Sequence, residues 1–201
     1  MSTPIQIDYY FSVISPWAYL GNARLHDLAK RANAQVVYHP QSSPDLFPAT
    51  GGLALKDRAQ PRKDYRLVEL ARWSKHLGIA LNLQPKHFPT PEASASKMIL
   101  ATQDAGQDAA PLLGAIFKAV WSDELDINDP DALIMLADKS GLDGKALLKS
   151  SSAARFDTAF AETTQAAIKR GVFGYPTYVH NDELFWGQDR LSFLEDALNV
   201  R

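Results

Sequence analysis

The order of structural signals along the chain constrains it more than any single residue does. Strand and helix patterns alternate at the start, only helical patterns run from about 41 to 170, and two strand patterns and a helix close the chain. Ile5, Ile7, Tyr9 and Phe11 alternate with Gln6, Asp8, Tyr10 and Ser12, a period of two that reads as a strand within Ile5 to Val13. Ser15 fits a helix N-cap, and Pro16 fits the first helical position, where a missing N–H costs nothing. Trp17, Leu20, Leu25 and Leu28 then form the apolar stripe of a helix running to Ala32, and Gln35 to His39 reads as a second strand. Two strands joined by one helix predict a parallel pair with a right-handed crossover.

Helical spacing follows in Lys63 to Leu77, Glu92 to Ala105, Ala109 to Ser122, Pro130 to Ser140, Gly144 to Ser151 and Ala153 to Arg170. Asp108 and Asp129-Pro130 suit helix starts, Gly141 and Gly171 suit helix ends, and Pro85, Pro89 and Pro91 bridge the first two helices. Strand patterns return at Thr177 to His180 and Glu183 to Trp186, with Asn181-Asp182 as the turn. Arg190 to Val200 is a closing amphipathic helix with Leu191, Leu194 and Leu198 on one side. The whole predicts an α/β chain of thioredoxin-like layout, β-α-β and then β-β-α, interrupted by an inserted all-α domain. Residues 1–42 and 171–201 would form the thioredoxin-like part, and 43–170 the insertion.

A thioredoxin-type protein carries Cys-x-x-Cys where this chain has Ser15-Pro16-Trp17-Ala18, and a cis-proline where it has Tyr175-Pro176-Thr177. Here the cysteines would fall at Ser15 and Ala18, and the chain contains no cysteine at all. That excludes disulfide chemistry, thiolate metal sites and a sulfur nucleophile of the protein's own. A net charge of −2 favours neither nucleic acid nor an anionic membrane. No apolar run reaches the roughly 18 residues a membrane span needs, and Met1 to Gln6 lacks the features of a secretory signal, so a cytoplasmic protein is expected.

Asp8 to Ser12 with Ser15 to Leu20 resembles the N-terminal signature of the 2-hydroxychromene-2-carboxylate isomerases, relatives of kappa-class glutathione transferases and of periplasmic disulfide oxidoreductases. Gly171 to Pro176 and Phe185 to Leu191 are similar to that family's two C-terminal signatures, and Tyr65 and Arg72-Trp73 match a helix of its inserted domain. The resemblance implies that glutathione occupies the thioredoxin-type cradle. Ser15 would then stand beside the sulfur. The backbone of Tyr175, before a cis Pro176, would pair with the cysteinyl backbone, and Trp186, Gln188 and Asp189 would hold the γ-glutamyl end. It also implies a homodimer acting on a small aromatic carboxylate. Two positions depart from the pattern: Pro48 stands where characterised isomerases carry a lysine near the substrate, and Phe88 where a tyrosine would offer a hydroxyl.

Other readings of the same residues remain open at this level. Ser15 can be a plain N-cap, Asp189 the cap of the last helix, Trp186 a core residue and Pro176 a trans turn proline. Lys56, Arg58, Arg62, Lys63 and Arg66 place five cations among eleven residues. They read either as a solvated helix start or as a pocket for a carboxylate, with Arg58 and Arg62 the candidates. The five histidines lack metal-ligand spacing, so no metal site is expected, and His87 alone is a candidate acid or base. A glutathione-dependent isomerase is thus expected. A kappa-like glutathione transferase or peroxidase, and a non-catalytic module gripping extended peptides beside Pro176, are the alternatives.

Overall fold

A computed structural model describes residues 4–200. Strand β1 (Ile5–Phe11) leads through helix α1 (Pro16–Ala32) to β2 (Ala34–Pro40), paired in parallel with β1 from Ile5↔Ala34 to Phe11↔Pro40. Helices α2 (Ser43–Ala49), α3 (Gln60–Leu77), α4 (Ala93–Asp104), α5 (Ala110–Trp121), α6 (Pro130–Lys139), α7 (Gly144–Ser151) and α8 (Ala154–Lys169) follow, with a 3-10 turn at Leu55–Asp57. The chain then forms β3 (Thr177–His180), β4 (Glu183–Trp186), a 3-10 turn at Gln188–Arg190 and α9 (Leu191–Ala197). The sheet order is β2-β1-β3-β4, with β3 antiparallel to both β1 and β4. The expected thioredoxin-like order is therefore present.

Local signals explain most boundaries. Ser15 sits in extended conformation and its Oγ accepts from Ala18 N–H at 3.2 Å, with Pro16 at the helix start. Asn33 ends α1 in the left-handed region, where its N–H reaches the carbonyls of Ala29 and Lys30. Asp129 and Asp143 cap α6 and α7 through their carboxylates. Asn181 and Asp182 both have positive φ, as a tight two-residue hairpin turn requires. Helix α2 was not legible, because Pro44 and Pro48 lie inside its seven residues.

The period-two reading of β1 holds only in part. From Ile7 onward both faces are buried, including Asp8 and Tyr10, which alternation assigns to solvent. The end of α8 covers that second face. Arg170 and His39 each meet the Asp8 carboxylate at 3.0 Å, and His39 stacks on Tyr10 with ring centres 4.6 Å apart. The opposite face holds Ile7, Tyr9 and Phe11. One continuous apolar body runs from there through Leu25 and Leu28 of α1 to Met98, Leu112, Phe117 and Trp121 of the helical region. The inserted helices thus share the core of the sheet.

Two contacts fix distances that matter below. Gly21 of α1 lies so close to the chain after β4 that a Cβ there would meet Tyr178 Oη at 2.7 Å and Gln188 Cβ at 2.9 Å. On the outer edge of β2, the Gln103 side chain accepts from Tyr38 N–H at 2.8 Å and donates to Tyr38 C=O at 3.4 Å.

Candidate functional site

Strand register brings the two signature segments together. Tyr10 faces Thr177 in the antiparallel β1–β3 pair, so the chain leaving β1 toward Ser15 emerges beside the chain entering β3 from Tyr175-Pro176. That peptide bond is cis, and a second cis bond, not anticipated from sequence, joins Phe88 to Pro89. The turn before α1 is closed by Ser15 N–H to Ser12 C=O at 3.0 Å.

The polar groups at this corner divide into used and unused ones. Pro176 C=O accepts from Gly187 N–H at 2.8 Å, and Thr177 Oγ1 donates to Gly174 C=O at 2.8 Å. Tyr175 N–H and C=O have no hydrogen-bond partner among the described residues. The Ser15 hydroxyl accepts from Ala18 but donates to no described group, and Trp17 N–H is likewise uncommitted. Pro16 has no N–H, so the first turn of α1 offers one amide, one hydroxyl proton and the positive end of the helix dipole. Such a corner can hold an extended peptide backbone and one anionic atom.

A buried carboxyl lies behind it. Glu92 Oε2 accepts from the Ser12 hydroxyl and Oε1 from Ser43 N–H at 2.7 Å, so one side chain joins the turn before α1 to the start of α2. Burial raises the Glu92 pKa, against the two hydrogen bonds that lower it, and the nearby Asp45 charge adds to the rise. The phenol of Tyr175 is buried beside Ser43 without completing a hydrogen bond, and burial pushes its pKa up, so it stays neutral.

The remaining sequence candidates fall in three places. Trp186 is half exposed, edge-on to Phe173 at 4.6 Å, with its indole Nε1 over Gly174, where an added Cβ would come within 2.7 Å. Gln188 is buried instead, its Oε1 and its backbone C=O both accepting from Arg24, at 2.8 and 3.3 Å. Asp189 caps no helix; its carboxylate is partly exposed and accepts from the Arg190 guanidinium at 2.7 Å. His87 is 3.8 Å from the Asp126 carboxylate. Arg62 is exposed. Arg58 donates to Leu53 C=O at 2.9 Å and lies over the Phe47 ring, which packs on Tyr175 with ring centres 5.4 Å apart. A groove of about 560 Å³ beside β2, lined by His26, Gln35, Tyr38 and Gln103 among others, contains none of these residues.

Sequence reasoning missed Glu92 as a site residue, because an acid at a helix start ordinarily faces water. It also left Arg66 out of the carboxylate candidates, naming Arg58 and Arg62, although Arg66 is half-buried against aromatic rings.

A family model, the DSBA-like thioredoxin domain, matches residues 6–199. The chain is 32% identical over 194 residues to the 2-hydroxychromene-2-carboxylate isomerase of Sphingobium xenophagum, covering 96% of this chain and 97% of that one. The chain belongs to the 2-hydroxychromene-2-carboxylate isomerase family. The solved structure of a 2-hydroxychromene-2-carboxylate isomerase superposes with a TM-score of 0.81 at 30% identity, covering 97% of this chain and 95% of that one. Human glutathione S-transferase kappa 1 is more distant, 26% identical over 212 residues, with 98% and 92% of the two chains covered. This family member therefore keeps the thioredoxin architecture with serine and alanine at the cysteine positions.

Proposed function

We propose that the protein is a glutathione-dependent isomerase of the 2-hydroxychromene-2-carboxylate type, acting on a small aromatic-derived carboxylate. The observation that carries this reading is the pairing of an unused backbone edge at Tyr175 with an unused hydroxyl proton at Ser15, in a chain without cysteine. Glutathione fits both, being an extended peptide with a thiol, and when bound it supplies the nucleophilic sulfur without being consumed.

The roles of this chain's residues follow from their groups. Tyr175 N–H and C=O would bind the cysteinyl backbone as a strand edge does. Trp186 and Asp189 would face the γ-glutamyl end, the carboxylate toward its ammonium, with Gln188 fixing that segment through Arg24. The Ser15 hydroxyl and Trp17 N–H would donate to the sulfur and favour its anionic form. A free thiol has a pKa of about 8.5, and donors of this kind are worth about 1 kcal/mol each. Together they would lower that pKa by about 1.5 units, enough to populate the thiolate near neutral pH.

The reading extends to a cytoplasmic homodimer in aromatic catabolism, and to residues 43–170 as an insertion in a thioredoxin-like scaffold. The family relationship supports these. The test follows 2-hydroxychromene-2-carboxylate and glutathione together by chromatography. Conversion to trans-o-hydroxybenzylidenepyruvate with glutathione undiminished supports the isomerase. Stoichiometric loss of glutathione would favour a kappa-like transferase or peroxidase, and absence of glutathione binding would leave a peptide-binding module.

A further inference from the structure

Arginine is the residue whose unpaired state is most informative here, because it stays charged and has no acceptor of its own. Arg31, Arg72, Arg155, Arg170 and Arg190 each have a carboxylate within ion-pair distance. Arg66 has none among the described residues, and donates no hydrogen bond to a described group. Its guanidinium lies to one side of the packed Phe88–Trp121 pair, 5.8 Å from the centre of Phe88 and 6.0 Å from that of Trp121, the two ring centres being 4.9 Å apart. Arg58 lies close enough for their charges to repel, over Phe47 at 5.9 Å, and likewise has no acidic partner.

Burial, and then the charge of Arg58, bring the Arg66 pKa down to about 10, so both side chains remain cationic at neutral pH. Two partly desolvated like charges with no anion between them are unfavourable in the free protein, and an anionic ligand would relieve both terms. The rings around them suit a planar apolar body rather than a hydrated inorganic ion. Phe47 also touches Tyr175, so the wall is continuous with the Ser15 corner.

We infer that Arg66 and Arg58 form the anion subsite of this enzyme, holding the carboxylate of a planar aromatic substrate against Phe88 and Phe47. This rests on the isomerase reading for the word substrate, but not for the subsite itself. The same chemistry could come from the glycyl carboxylate of glutathione, so the experiment separates the two sources.

The probe pair is 1-naphthoate and its neutral amide, 1-naphthamide, titrated calorimetrically into the full chain alone and into the chain saturated with glutathione. Wild type should bind naphthoate at least tenfold tighter than naphthamide. Arg66→Gln should abolish that preference, Arg66→Lys should restore part of it, and glutathione affinity should change less than twofold in both. Should Arg66→Gln unfold the chain, Arg58→Gln, on the outer side of the pair, should still narrow the preference about threefold or more. Equal binding of the two probes by wild type, no binding of either, or an Arg66→Gln variant that keeps its preference would each overturn the inference. A parallel loss of glutathione affinity would overturn it too, assigning the arginines to glutathione. No turnover enters the measurement, so failure of the isomerase activity and failure of the subsite are separate results.

Discussion

The corner at Ser15 and the wall at Arg66 present ligands with opposite kinds of chemistry. The corner offers neutral backbone groups at Tyr175 and Trp17, fixed by β1, β3 and the start of α1. The wall offers two guanidiniums on flexible stems among aromatic rings. Backbone donors and acceptors are the same whatever residue carries them, so they can grip any extended peptide and specify little else. Cations without partners select by charge and shape. On the proposed reading, generic affinity and particular specificity thus belong to different parts of the molecule, one to the sheet and the other to helices packed against it.

The largest effect should come from removing the one side-chain donor of the corner. Ser15→Ala should lower turnover by about 10- to 1,000-fold, in the range of losing a single preorganised donor, while glutathione affinity measured by calorimetry changes little. A variant with wild-type turnover would sharpen the comparison, since the corner would then act through backbone alone, and would remove the serine from the proposed chemistry. The same substitution removes the α1 cap and should cost about 1 kcal/mol in denaturant unfolding.

Next in size is the frame. Gly21→Ala forces a Cβ into Tyr178 Oη and Gln188, and should cost about 1–3 kcal/mol of stability and weaken glutathione binding more than naphthoate binding. Equal weakening of both ligands would mean that corner and wall move as one body.

Asp8 supports the sheet from behind. Burial alone would raise its pKa, but hydrogen bonds from His39 and Gln6, with the charges of His39 and Arg170, lower it overall. Its contribution is present above the unfolded carboxylate value of about 3.9 and is lost as pH falls through the lower folded value. Asp8→Asn should therefore destabilise the protein at pH 7 and flatten the acid limb of its stability curve, with ligand selectivity untouched.

The smallest effect should be at Glu92, which joins the two regions. Its raised pKa has the opposite sign: stability it confers below the unfolded carboxylate value is lost as pH rises through the higher folded value. Glu92→Gln should narrow the stability difference between pH 5 and pH 8, read from denaturant midpoints. An unchanged slope would show that ionising this carboxyl does not load the joint between Ser12 and Ser43.

These four sites also mark what the sequence could reveal. Ser15-Pro16, the hairpin at Asn181-Asp182 and the leucines of α9 were legible because capping, turn chemistry and periodicity are local. The polar face of β1 was misread because its cover, Arg170 at the end of α8, lies far away in the chain. Gln188 and Asp189 look equally available in sequence. Only the packing of α1 at Gly21 and the reach of Arg24 turn one inward and leave the other at the surface. Glu92 and Arg66 were hidden for the same reason: a charged residue on a helix gives no local sign that it is buried.

The Gln103 side chain, by occupying both backbone groups of Tyr38, has a consequence for how copies of this protein can meet. A free strand at the rim of a sheet invites another chain to extend it, and here that rim is blocked at its midpoint. Self-association through a continuous intermolecular sheet along β2 is thereby disfavoured, and assembly is directed to side-chain surfaces elsewhere.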